Sequence, residues 1–450
     1  MASNFKIAGS SVEQLRGILS RNRAGERVGT YAVCSAHPAV LQAAIAQARN
    51  DDSILHVEST SSQVNQFGGY TGATPEQFAM SMRELALKNG FAPDRVLLGS
   101  DHLGPFAWKN EPAAIAMTKA CELAKASVRA GYQKVHFDAS MACADDGSSL
   151  SEETIAERAA VLCEAVEQEL LKNGAERPLY VVGTEVPPPG GEVAEGNCPP
   201  PTRAEDVART LDLFRKAFEA RGLTQAWENV IAIVVQPGVE FGNETVFQYE
   251  SAAARLLLQA LPRNCDLVYE AHSTDYQSPA KLAELVRDHF AILKVGPWLT
   301  FAYREAVFAL SMIERELFAR KNGMTLSRVR EALEAEMLKN PGYWKSYYQG
   351  NEAEVAMARA YSFSDRSRYY WPADAVQEEV KLLVRNLSSG HIPLTLLSQY
   401  LALEYEAVRE GRMPNSPEAL IQEHIHQVLR HYAAACGVLR PVNNLSLQSA

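Results

Sequence analysis

Histidines and carboxylates recur where short apolar runs end. Glu58 closes Ile54–Glu58, Asp101-His102 follows Val96–Ser100, and His136 and Asp138 end Lys134–Asp138. Thr184-Glu185 ends Tyr180–Thr184, Glu270 closes Leu267–Glu270 with His272 two residues on, and Lys294 lies in Ile292–Val295. Neutral imidazole and ionised carboxylate are the forms that bind a cation at neutral pH. Two imidazoles and one carboxylate suit a divalent ion with open positions. His102, Glu185 and His272 are the expected set. The alternative is that they are hydrogen-bonded polar groups lining a polar mouth, since no local ligand motif is present. His37 and His136 could line the mouth or be satisfied core groups. His424, His426 and His431 share one late helix and read as its solvated surface.

The elements that would position these residues alternate. Eight apolar, β-branched runs (Val28–Val33, Ile54–Glu58, Val96–Ser100, Lys134–Asp138, Tyr180–Thr184, Val230–Val235, Leu267–Glu270 and Ile292–Val295) are each followed by a helical pattern, except that the loop Pro187–Pro201 intervenes after the fifth. Thr74-Pro75-Glu76 and Ser151-Glu152-Glu153 are helix starts, and Asn89-Gly90 and Lys172-Asn173-Gly174 are stops. Helices are further expected from about Glu111 to Ala130 and over about Arg203–Ala220, Ser251–Ala260, Pro279–His289 and Tyr303–Arg320. This alternation predicts an α/β fold, a (β/α)₈ TIM barrel, over residues 1–320. A doubly wound open sheet is the rival, but no GxGxxG follows the first strand. From about Lys321 strand runs vanish, which predicts a helical extension over 321–450 packed on the barrel.

Composition narrows the function classes. The net charge is −10, from 44 Lys+Arg against 54 Asp+Glu, which argues against nucleic-acid binding by phosphate neutralisation. No apolar stretch of membrane-spanning length occurs, and the first residues carry no signal-peptide pattern. Seven scattered cysteines without a CxxC pair suggest reduced thiols and a cytoplasmic location.

Longer motifs carry a family resemblance. CSAHP (34–38), QVNQFGGYTG (63–72), DHLGP (101–105), DASMAC (138–143), GTEVPPPGG (183–191), VVQPGVEF (234–241), YEAHSTDYQ (269–277), ILKVGP (292–297) and SDRSRYYWP (364–372) resemble the tagatose-bisphosphate aldolase accessory-subunit family. That family is related to the class II aldolases and includes tagatose-6-phosphate 4-epimerases. The resemblance implies the class II aldolase barrel. It implies metal ligands at His102 and His272, with Glu185 standing where those aldolases have a third His, and zinc as the ion, or manganese. Asp101 would move the proton of the C4 hydroxyl. Glu58, a second candidate catalytic carboxylate, and Gln63, Asn65 and Gln66 would hold sugar hydroxyls, with Asp138, Ser273 and Lys294 as further substrate contacts.

Two departures bear on the substrate. The turn that cradles a C1 phosphate in the aldolases here reads Ser273-Thr274-Asp275-Tyr276, and a strand-8 Asn is replaced by Gly296. Asp275 would repel a phosphate dianion and accept a hydrogen bond from a free hydroxyl. A C6 phosphate would then rest on Arg366 and Arg368, unless these form a structural pair with Asp365. The activity implied is a metal-dependent epimerase interconverting tagatose 6-phosphate and fructose 6-phosphate by retro-aldol and aldol steps. The alternative is a non-catalytic subunit that stabilises a separate tagatose-bisphosphate aldolase chain. A sugar-phosphate kinase is disfavoured because no GxxxxGKS/T loop is present. Expected partners are a phosphorylated ketohexose, an aldolase catalytic subunit and further copies of the chain.

Overall fold

The computed structural model describes residues 9–147, 149–184, 198–262, 267–321 and 323–439. Eight parallel strands form a closed barrel: β1 Thr30–Val33, β2 Leu55–Thr60, β3 Val96–Leu103, β4 Lys134–Phe137, β5 Leu179–Val182, β6 Val230–Val234, β7 Val268–Ala271 and β8 Ile292–Val295. β1 closes the cylinder against β8, in register from Thr30 opposite Ile292 to Val33 opposite Val295. All eight expected strands form, because a strand covered by helices outside and side chains inside is apolar along nearly its whole length.

The barrel interior is layered. Helix Ser11–Arg23 covers the N-terminal end, where Leu15 and Leu19 pack with Leu97, Leu179, Val181, Val268 and Ile292. Along β7 and β8 the inward series then turns polar, from Val268 to Glu270 and from Ile292 to Lys294. Polar side chains therefore gather at the C-terminal mouth, where barrels build their sites.

The surrounding helices start and stop much as the sequence indicates. The Thr74 side chain caps Pro75–Lys88 and its backbone N–H donates in return to Gln77 Oε1, and Ser151 caps Glu152–Asn173, which ends on Gly174 at φ 62°. One helix is absent. Residues 251–260 form turns and a short 3₁₀ segment, Leu257–Gln259. Pro262 bars continuation, so this stretch is too short to propagate a helix. A two-stranded ribbon, Glu240–Phe241 with Val246–Phe247, is an addition the sequence did not indicate.

After the barrel the described residues form helices and no strand, the α-helices being Val329–Lys339, Glu352–Tyr361, Asp374–Ser388, Leu394–Tyr400, Ala402–Arg409 and Pro417–Ala435. They share one apolar cluster with the barrel, in which Trp371, Leu383 and Leu429 join Leu299 and Leu310. The late histidines are not a solvated face. His424 bridges Glu404 at 2.8 Å and Glu305 at 3.3 Å, His426 meets the Ala43 carbonyl, and His431 lies against Trp298. Helix Pro417–Ala435 packs chiefly on helices Pro297–Phe318, Pro38–Asp51 and Pro279–Arg287, which is why more than one of its faces is used.

Candidate functional site

The site is built around an irregularity in β3. Pairing of β3 with β4 shifts register between Ser100 and Leu103, and His102 there adopts φ 47°. In a regular strand Asp101 and His102 would point to opposite faces. The bulge turns both toward the mouth, as bulges beside sites do. Gly104 locks the arrangement, since an added Cβ would lie 1.6 Å from the Asp138 carbonyl oxygen.

Three imidazoles meet at the mouth. Ring centroids of His102 and His272 are 4.9 Å apart, those of His136 and His272 5.0 Å, and those of His102 and His136 5.4 Å. Asp101, His136, Glu270 and His272 each offer one ligand atom, and these atoms lie within 4.8 Å of one another. Buried His136 Nε2 has no hydrogen-bond partner among the described residues. Two imidazoles, two carboxylates and an orphaned nitrogen fit a divalent cation. Of the expected metal set, His272 stands in this group beside His136 and Glu270, which the sequence did not place in it. Glu185 and most of the loop Pro187–Pro201 lie outside the described residues. His102 lines the same pocket, and its Nδ1 is held by Asp138 Oδ2 at 2.7 Å.

Below these groups lies a buried ion network. Lys134 Nζ lies 2.7 Å from Glu58 Oε1 and 2.7 Å from Glu270 Oε2. Lys294 Nζ contacts Glu58 directly, Asp101 Oδ1 at 2.9 Å and Glu270 Oε1 at 3.5 Å. Burial opposes ionisation of Asp101, but Lys294 and His102 outweigh it and hold its carboxyl well below the usual range. Likewise burial is outweighed at Glu58 by Lys134 and Lys294, which bring it down to about 2. Burial, with His102 and His136 beside it, brings His272 down to about 4 against the pull of Glu270 and Asp101. Gly99 makes room for this layer, since a Cβ there would stand 2.9 Å from Glu58 Cγ.

Above the network opens a pocket walled by Gln63, Asp101, His102, His272, Ser273, Asp275, Lys294 and, from the extension, Arg368 and Tyr369, among others. Gln63, Ser273, Asp275, Lys294 and Arg368 are therefore brought together as expected. Five other expected residues are not. Glu58 is fully buried in the ion network and does not line the pocket. Asn65 is spent on its own loop, binding the Ser61 carbonyl and the Phe67 and Gly69 amides. Gln66 turns away to the Lys119 carbonyl. Asp138 stands behind His102 as its orienting carboxylate, with Ser140 as a second partner. Arg366 lies over the Tyr347 ring at 3.0 Å, outside the pocket wall.

The extension reaches the pocket through one tied segment. Asp365 accepts from Arg304 Nη1 at 2.8 Å, from Thr300 Oγ1 at 2.5 Å and from Ser367 Oγ at 2.8 Å, all buried. Its ion-pair partner is thus Arg304 and neither Arg366 nor Arg368. Asp275 takes the start of helix Pro297–Phe318: its Oδ1 accepts from Gly296 N at 3.0 Å and Trp298 N at 2.8 Å. Burial raises this carboxyl to about 6, the two amides and Arg368 pulling the other way.

A parallel eight-stranded barrel with a metal-capable centre at its C-terminal mouth, completed by a helical extension, defines the class of protein. The family profile described as "D-tagatose-1,6-bisphosphate aldolase subunit GatZ/KbaZ-like" matches residues 15–437. The chain is 49% identical over 422 residues to the D-tagatose-1,6-bisphosphate aldolase subunit GatZ of Escherichia coli O1:K1 / APEC, covering 94% of this chain and 100% of that protein. The same figures hold for the GatZ subunit of Shigella boydii serotype 18. A crystal structure described as a probable tagatose 6 phosphate kinase from Sinorhizobium meliloti 1021 superposes with a TM-score of 0.82 at 42% identity, covering 91% of this chain and 100% of that one. The chain belongs to the GatZ/KbaZ-like family of tagatose-bisphosphate aldolase subunits. This corrects the expectation of a ketohexose-6-phosphate 4-epimerase: the matched family and its curated relatives are named as aldolase subunits, and none of these names is an epimerase.

Proposed function

We propose that this chain is the supporting subunit of a D-tagatose-1,6-bisphosphate aldolase, binding a separate catalytic aldolase chain and sustaining its activity without performing the cleavage. The observation that carries this reading is end-to-end similarity: proteins named as D-tagatose-1,6-bisphosphate aldolase subunits are matched over their full length. Two features of the mouth accord with it. Asp101, the carboxylate available for proton transfer, is engaged by Lys294 and held far below neutrality, which makes it a weak base. The helix start that could receive a phosphate is already occupied by Asp275.

In this reading the pocket is a ligand site for a phosphorylated ketohexose. Gln63, Ser273 and Arg368 would contact the sugar. Asp101, His136, Glu270 and His272 would hold a divalent ion such as zinc or manganese. Such an ion supplies Lewis acidity toward sugar oxygens. Sugar phosphates are charged and do not cross membranes unaided, so the reading puts the chain in the cytoplasm; no helix among the described residues is long and apolar enough to cross a membrane.

The test is co-expression with a class II tagatose-bisphosphate aldolase chain. The two should co-elute, the aldolase should hold its activity several-fold longer at 37 °C than when alone, and this chain alone should leave tagatose 1,6-bisphosphate uncleaved. Cleavage by the isolated chain, or an aldolase indifferent to its presence, would overturn the reading.

A further inference from the structure

A groove runs between three helices toward the end of Pro297–Phe318. Phe308 and Met312 of that helix, Leu333 and Met337 of Val329–Lys339, and Ala356 and Ala360 of Glu352–Tyr361 give it an apolar floor and walls. Arg315 on its rim lies about 27 Å along the helix axis from Pro297 at the barrel mouth. The groove and the mouth pocket have no lining residue in common. Apolar surface continues past the groove, where Leu338, Met357 and Tyr361 on the same two later helices are 53%, 55% and 45% exposed. Met357 and Tyr361 share one helix face by their i, i+4 spacing. Large apolar side chains gathered beside a groove mark a surface for a macromolecule, whereas scattered single ones do not.

The rim carries the opposite charge to the rest of the chain. Residues 315–330 hold Arg315, Arg320, Lys321, Arg328 and Arg330 against the one carboxylate of Glu316, in a protein whose net charge is −10. Exposed arginines elsewhere are paired, as Arg203 is with Asp206 and Arg209 with Glu152. The exposed side chains of Arg315 and Arg328 meet no carboxylate among the described residues. Arg330 lies over the Phe308 ring at 5.2 Å and donates to the Tyr361 hydroxyl at 2.7 Å, again without an acid. Two of the three carboxylates along the groove are spent: Glu314 accepts from Ser327 and Asn386, and Glu334 holds Arg359. Glu331 alone then stands against three arginines. A small anion would leave the apolar floor unused, and a neutral apolar segment would leave the arginines unused. A helix with apolar side chains on one face and carboxylates beside them uses both, each carboxylate matching a guanidinium fork. Seated here, it would leave the mouth open to its ligand.

We propose that this groove receives the catalytic aldolase chain, through an acidic amphipathic helix on that partner. This rests on the subunit role proposed above and adds the surface that performs it. Calorimetric titration of the full chain with a class II tagatose-bisphosphate aldolase chain, at about 50 and 300 mM NaCl, tests it. The wild type should bind, and several-fold more weakly at the higher salt, because exposed charges are screened. The Arg315→Glu, Arg328→Glu double variant should bind at least tenfold more weakly at low salt and lose most of the salt dependence. Met357→Ser should weaken binding several-fold and keep the salt dependence. All three side chains are exposed, so the unfolding midpoints should match the wild type. Lys88→Glu, on helix Pro75–Lys88, should bind as the wild type does. A double variant that binds as tightly as the wild type, or a Lys88→Glu variant weakened equally, overturns the proposal. So does a double variant that changes only the chain's self-association in light scattering, since the occupant is then a second copy. A wild type that binds no aldolase chain overturns the subunit role itself and this occupant with it, whereas the other failures leave wild-type binding intact and strike the groove alone.

Discussion

Lys294 decides how the mouth treats a cation. Its ammonium reaches two of the four candidate ligands, Asp101 and Glu270, as well as Glu58. It is a tethered positive charge among groups that could hold a free one. A dication about 4 Å from an ammonium is repelled by on the order of several kcal/mol at an effective dielectric of about 20. Lys294→Met should therefore bind zinc or manganese at least tenfold more tightly than the wild type in a calorimetric titration. The same variant should unfold at a lower temperature, because it leaves buried carboxylates less compensated. Equal metal affinity in the two proteins would mean that the ammonium and the ion do not share ligands. The residues of this layer also show where the sequence misled. His136 and Glu270 were visible as strand-end groups, but chain spacing cannot say that β4 and β7 aim them at one point across the barrel. Glu58 read as a rim carboxylate because a rim carboxylate and a buried counter-ion both sit at an inward strand position, and only the partners Lys134 and Lys294 distinguish them.

At the scale of elements, the β3 bulge is the device that makes the site. It depends on Gly104, whose Cα faces the Asp138 carbonyl too closely for any side chain. Gly104→Ala must push β3 away from the β4–helix turn, which moves Asp101, His102 and Asp138 together. A loss of about 2–4 kcal/mol in denaturant unfolding is expected, in the range of severe overpacking, with weaker metal uptake. A variant of native stability would show that the turn after β4 yields freely. The eight strands were legible because burial on both faces writes a nearly continuous apolar run, and the helices because Ser, Thr and Gly mark their ends. The bulge was not, since Ser100-Asp101-His102 carries no glycine and a positive φ at a histidine leaves no compositional trace. Nor could periodicity show that Asp365 pairs with Arg304, an association between residues far apart in the chain that sets Arg368 at the pocket wall.

For the whole molecule, the last helix joins the barrel to its extension through a titratable clamp. His424 on Pro417–Ala435 lies between Glu404, which is buried on the extension, and Glu305 on Pro297–Phe318. Burial disfavours its charge, but the two carboxylates prevail and raise the imidazole to about 9. A group whose folded value exceeds its unfolded value near 6.5 stabilises the fold fully below that lower value and loses the contribution as pH climbs through the higher one. The half-exposed Glu305 is screened by solvent, so the contribution is about 1–2 kcal/mol, less than the full shift would give. His424→Gln keeps hydrogen bonding and removes the charge. It should lower the thermal midpoint by several degrees at pH 6, and the gap to the wild type should close between about pH 7 and 10. A gap that persists unchanged at pH 10 would mean that His424 contributes by packing alone, and that the charge between the two glutamates is not what fastens the extension to the barrel.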